Sequence, residues 1–334
     1  MQTFTTACQE PVRDYSDGLP GHGGDLALAV TLSDAAVARL KPVLDQLYAQ
    51  YDRPHAVDDP IDIVRRFDDP ADREVVAFIA AGLAFGRVAG IVQSVERLLA
   101  VMRPSPAAFL ATFDPRTHLP LLEGVGHRWI RSRDVAALLW TLRQMIARSG
   151  SIEAFFLEGY DPAAPDVGPA IDSFSSRALA MDLRPVYGSR RVRRRGPGVA
   201  YFFPKPSSGS ACKRLNLFLR WMVRRDGVDF GRWTRVMATS LVIPLDTHIV
   251  RVGRCLGLTA CASPGWRMAA EITASLRRVD AEDPVRYDFA LCHLAMRHGC
   301  GVSERCRAEA CPLREVCRGP ARTARRSRPP SARR

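Results

Sequence analysis

The sequence predicts an all-α protein. Long stretches place apolar residues three and four apart, and no stretch sustains the period-two alternation of a half-buried strand. The glycines of "GLAFGRVAGI" (82–91) follow no strand-like run, so a dinucleotide-binding loop is not expected there. The 334 residues are 47% apolar, enough for one large domain or two closely packed lobes.

The elements follow in chain order. Residues 1–30 carry acids early and lack a basic-then-apolar signal pattern, so they read as a disordered extension. "LSDAAVARLKPVLDQLYAQY" (32–51) has apolar positions at helical spacing. Residues 72–103 are apolar on most sides with Ala and Gly interleaved, which suits a buried, tightly packed helix pair. Residues 132–150 predict a helix that starts at Ser132 as N-cap and stops at Gly150, and another short helix begins after it. Residues 161–169 read as a connector, and residues 184–210 break the helical pattern again. In the helix expected over 211–225, Leu215, Phe218, Leu219 and Met222 form an i, i+3, i+4, i+7 stripe. Segments 266–279 and 283–299 read as further helices. The tail, 318–334, holds seven arginines, three prolines and no acid, and is expected to be disordered.

A net charge of +13 points to a polyanionic partner. Five arginines crowd one loop: Arg190, Arg191, Arg193, Arg194 and Arg195. No run approaches the roughly 18 apolar residues of a membrane span. With no signal pattern either, the expected location is the cytoplasm, at the nucleoid, and the expected state is a monomer.

Three patterns bear chemistry. Lys213 falls in the first turn of its helix, where aligned peptide dipoles disfavour a cation by a few tenths to about 1 kcal/mol. Asp246 in "IPLDTHIVRVGRCLGL" precedes a helical run, as a helix N-cap does. Cys300, Cys306, Cys311 and Cys317 crowd the end of the chain, where four thiolates suit a [4Fe–4S] cluster or a tetrahedral zinc. Cys292 is an alternative first ligand.

The string Asp246-Thr247-His248, with Arg251, Arg254 and Leu256–Gly257 after it, resembles the helix-hairpin-helix DNA glycosylase superfamily (HhH-GPD). The Pro/Gly turn "PSSGSACKRL" before Lys213 extends the likeness, although the usual Leu-Pro-Gly-Val-Gly hairpin is absent. The separation of 33 residues (246 − 213) is similar to the archaeal 8-oxoguanine glycosylase branch. "SACKRLNLFLRWMVR" and "IPLDTH" also resemble an uncharacterised bacterial family spanning about residues 32–317.

The resemblance implies a bilobal helical domain over 31–299 with a cleft, followed by a four-Cys loop over 300–317. It implies that Asp246 is the catalytic carboxylate and Lys213 the nucleophile of a DNA glycosylase and lyase acting on an oxidised purine. It favours iron–sulfur over zinc in the loop. Double-stranded DNA is then the expected partner, contacted by the loop arginines with Arg214, Arg220 and Arg251. A nucleophilic lysine must be neutral, and helix dipole, burial and nearby cations all favour that form.

Overall fold

The computed structural model describes residues 32–51, 59–188, 198–298, 300 and 311–317. Among these residues the chain is helical and contains no strand, only isolated bridges at His127–Ile130 and Arg225–Phe230. The all-α expectation holds. No helix among them is long and apolar enough to cross a membrane.

Helix α1 (Asp34–Gln50) starts where the Ser33 hydroxyl accepts the Ala36 N–H, and it buries Leu40, Leu44 and Leu47. A short α2 (Ile61–Arg65) leads to α3 (Pro70–Gly82), which has Asp69 as cap and Pro70 in its first turn. All residues from Asp72 to Gly82 are buried, so α3 is a central helix. The chain breaks over 83–87, with Gly86 at φ +96°, and resumes as α4 (Val88–Val101). A helix pair forms over 72–103 as expected, but only α3, from Asp72 on, is buried throughout: α4 buries Ile91, Ser94, Val95, Leu98 and Leu99 on one face and exposes Ala89, Gln93, Arg97 and Ala100 on the other.

Two short proline-led helices, α5 (Pro106–Thr112) and α6 (Pro115–His118), precede α7 (Ser132–Ser149). Ser132 is the first helical residue of α7 and not its cap. Arg131 takes the cap position, and its N–H donates to Asp134 Oδ2 at 3.0 Å. Gly150, at φ +91°, ends α7 as expected. Then come α8 (Ile152–Leu157), α9 (Gly168–Leu179) and α10 (Arg184–Tyr187). The second half contains α11 (Lys213–Val223), α12 (Thr247–Leu256), α13 (Trp266–Val279) and α14 (Asp288–His298).

The packing follows from the apolar stripes. Leu215, Phe218, Leu219 and Met222 of α11 are all buried, and α11 lies along α3. Phe218 meets Phe78 at 5.0 Å between ring centroids while Lys213 meets Ala84, so the two helices run antiparallel. Elsewhere α12 packs on α14, and α1 touches both α13 and α14. Trp221, Trp233, Phe202 and Phe203 are buried. Phe202 and Phe203, which follow the arginine-rich segment in the sequence, are therefore core residues.

Candidate active site

The approach to α11 is strained where it matters. Gly209 turns the chain at φ +79°, and Cys212, 1% exposed, holds the left-handed φ +49° that non-glycine residues rarely adopt. This kink sets Lys213 as the first helical residue. Its Nζ donates to the Ala84 carbonyl at 3.0 Å. Ala84 lies in the break just after α3, so the ammonium reaches the carbonyl-rich end of the antiparallel neighbour. The dipole of α3 thus offsets the poor placement in α11.

Arg214 serves the same helix end. It donates to the Gly82 carbonyl at 3.3 Å and to the Tyr201 carbonyl, and its guanidinium sits 3.5 Å from the Tyr201 ring centroid. Burial pushes its pKa down to about 10. Its donors face the protein, which departs from the phosphate contact expected of it.

Asp246 caps α12. Its Oδ1 accepts the His248 and Ile249 N–H groups, both at 2.8 Å, and its Oδ2 accepts the Cys292 thiol at 3.4 Å. Cys292 comes from α14. Burial, then the charges of Asp246 and Asp288, push its pKa well above the ordinary thiol value, so it stays a protonated donor. The thiol considered as a first metal ligand therefore belongs to this site.

Lys213, Asp246, Cys292 and Asp288 line one cavity of about 150 Å³. Asp288 is 3% exposed and ion-paired to Arg220. Its pKa rises to about 6 because burial, with the nearby Asp246 and Asp229 charges, outweighs the pull of Arg220. Arg220 also meets Asp229 at 3.3 Å. Arg224 joins Asp229, together with Asp226 and Asp283 at 2.9 Å each. At 3% and 4% exposed, both arginines belong to a buried ion network. Arg220, expected to contact DNA, is instead buried and paired with Asp229 and Asp288. Arg251 is exposed on α12, as a phosphate contact would be.

Arg190, Arg191, Arg193, Arg194 and Arg195 lie outside the described residues, as does Cys306. Cys300 and Cys311 are buried and Cys317 is half-buried. Among the described residues no three His, Cys, Asp or Glu side chains form a group able to hold a metal ion.

A larger cavity, about 570 Å³, opens beside α3, α5 and α7 without Lys213 or Asp246. Its acid Glu74 is already engaged by the Ile152 and Glu153 N–H groups and by Trp233 Nε1, each at 2.9 Å. Arg143 donates to the Phe113 carbonyl at 2.7 Å. The chemistry-bearing groups converge at the smaller cleft.

Sequence reasoning assigned Cys292 no place beside Lys213 and named Asp288 only as a candidate supporting group, with Asp283 and His248. The available signal was the i, i+4 spacing of Asp288 and Cys292, which puts both on one face of α14. The glycine-bearing break 83–87 was likewise not tied to the site, though it supplies the carbonyl that holds Lys213.

These observations define an all-α protein with a lysine, three carboxylates (Asp59, Asp246 and Asp288) and a thiol lining one cleft. The chain belongs to the family described as "Protein of unknown function (DUF2400)", which it matches over residues 59–297. That span includes every residue of the cleft named above and stops short of the cysteine-rich end. No curated protein and no solved structure matches the chain.

Proposed function

We propose that this protein is a base-excision enzyme of the HhH-GPD kind, a DNA glycosylase with lyase activity acting on an oxidised purine such as 8-oxoguanine. One observation carries the reading. Lys213 and Asp246 are far apart in the chain, open two different helices and line the same cleft. The resemblance of their surrounding strings to that superfamily supplies the reaction.

The duplex binds through exposed basic groups, and the damaged nucleotide is turned out of the stack at a cost of a few kcal/mol. Lys213 leaves the Ala84 carbonyl and loses its proton. The amine nitrogen then forms a bond to the sugar C1′ as the C1′–base bond breaks. The base departs with that electron pair and takes up a proton. Asp246, held on both oxygens, faces the positive charge that develops on the sugar. Opening of the ring gives a Schiff base on Lys213. Removal of a C2′ proton then expels the 3′ phosphate by β-elimination.

Cys300, Cys306, Cys311 and Cys317 would hold a [4Fe–4S] cluster, with zinc as the alternative. Thiolate donors suit either metal. The cluster would brace the C-terminal loop and takes no part in bond cleavage.

The Lys213–Ala84 hydrogen bond favours a second reading, in which the amine stays tethered. The protein is then a monofunctional glycosylase using water, or a noncatalytic DNA-binding scaffold. Borohydride trapping on duplexes carrying 8-oxoguanine or an abasic site separates these. A covalent adduct that disappears in Lys213→Ala supports the lyase. No adduct and no strand cleavage on any lesion sinks it. Protein purified anaerobically that is colourless and carries zinc overturns the iron–sulfur assignment.

A further inference from the structure

Apolar surface is left in water around the mouth of the cleft. Among the described residues five large apolar side chains are exposed; of these, Val88 and Met296 line the cavity. Trp129, 48% exposed, packs on Phe85, whose chain neighbours Ala84 and Gly86 line the cavity. Single exposed apolar groups are ordinary, but a group of them around one cleft marks a contact surface.

Trp129 is held in place. Its turn is closed by His127 and Ile130, whose backbones exchange hydrogen bonds of 3.0 and 2.8 Å. The His127 ring ties that turn to the chain break after α3: its Nε2 bonds the Phe85 carbonyl at 2.7 Å and its Nδ1 meets Ser94 Oγ at 3.0 Å. The Phe85 ring then backs the indole at 4.8 Å and meets Tyr201 at 5.0 Å. Phe85 sits between Ala84 and Gly86, which both line the cavity.

Arg128 completes the arrangement. It adopts a left-handed φ of +53°, and its guanidinium lies 5.1 Å from the Trp129 ring centroid. A Cβ on Gly86 would approach Arg128 Nη1 to 3.0 Å, so the cation rests on the glycine at the cavity wall. A supported aromatic face and a guanidinium therefore flank the opening.

We propose that Trp129, backed by Phe85 and Tyr201 and flanked by Arg128, is a stacking platform for one unpaired nucleobase of a DNA strand at the cleft mouth. A base offers a flat π-face to the indole, and Arg128 meets the adjoining phosphate. The net charge of +13 complements a polyanion better than an apolar protein segment. The proposal rests on DNA as the partner in the reading above, and it does not rest on Lys213 chemistry.

The test uses the full chain and oligonucleotides carrying 2-aminopurine, whose fluorescence falls when it stacks. Three probes are titrated: a single strand, a duplex with 2-aminopurine opposite an abasic analogue, and a fully paired duplex. The wild type is expected to quench the unpaired probes and spare the paired one. Trp129→Ala is expected to remove the quench and weaken binding to unpaired probes about 5- to 100-fold. Trp129→Phe retains most of the binding, and Arg128→Ala lowers affinity with less effect on the quench.

Trp129→Ala that quenches and binds like the wild type overturns the platform. So does equal quenching of paired and unpaired probes by the wild type, a result that needs no variant to fold. A wild type that binds none of the probes removes both the platform and the DNA reading. Quenching that depends on Trp129, without any borohydride adduct at Lys213, sinks the lyase and leaves the platform standing.

Discussion

The Cys292 thiol donates to Asp246 Oδ2 across 3.4 Å, while two backbone N–H groups occupy Oδ1. A carboxylate at the start of one helix is thereby oriented by a side chain from another. Serine in place of cysteine keeps a donor there and alanine does not. Cys292→Ala is expected to lower turnover on lesion-bearing duplex about 5-fold, near 1 kcal/mol for one hydrogen bond. Cys292→Ser stays within about twofold of the wild type. Because its pKa is raised, the native thiol is expected to resist iodoacetamide at about pH 8 until the protein unfolds, as read by mass spectrometry.

Asp246 has two separable duties. As an N-cap it stabilises α12, and as a charge it faces the cleft. Asparagine caps a helix about as well as aspartate, so Asp246→Asn is expected to keep the thermal midpoint and lose glycosylase activity. Asp246→Ala is expected to lose activity and also about 1 kcal/mol of stability. Equal activity in wild type and Asp246→Asn contradicts a role for the charge.

Arg220 and Arg251 are expected to behave oppositely. Arg220→Ala leaves Asp288 buried without its partner cation, while Asp229 keeps Arg224, and costs about 3–5 kcal/mol in urea unfolding. Arg251→Ala, at an exposed position, changes stability by less than about 0.5 kcal/mol. If Arg251 meets a phosphate, that variant also reduces the salt slope of DNA binding by about one.

Asp288 makes stability depend on pH. Its pKa in the folded protein, about 6, lies above the ordinary 3.8, so the folded chain binds this proton more tightly than the unfolded chain. The resulting stabilisation is full below the ordinary value and is lost as pH rises to about 6. Asp288→Asn has no such proton. The stability of the wild type relative to Asp288→Asn is therefore expected to fall as pH rises across that window. A difference that stays flat, or grows with pH, contradicts the raised pKa.

Much of the helical framework could be read from residue order. The stripe of Leu215, Phe218, Leu219 and Met222 is buried as its spacing requires, and Asp246 caps α12. Such features depend on neighbours three or four residues away, which periodicity and capping rules register directly. Charge was read less well. Arg220 reads as a DNA contact in the sequence, because an arginine's local sequence does not reveal an aspartate 68 residues away, here Asp288.

The cleft is a matter of helix packing. Lys213 and Asp246 were each visible as a cation and a carboxylate at the start of a helix. Their meeting depends on α3 lying antiparallel to α11, so that its broken end supplies a carbonyl to the ammonium. It depends equally on α12 packing against α14, which brings Cys292 to the carboxylate. Caps and stripes are set by short-range chemistry, so the amino-acid order alone was enough to locate them. Partners drawn from separate helices appear only when burial of the apolar stripes brings those helices together.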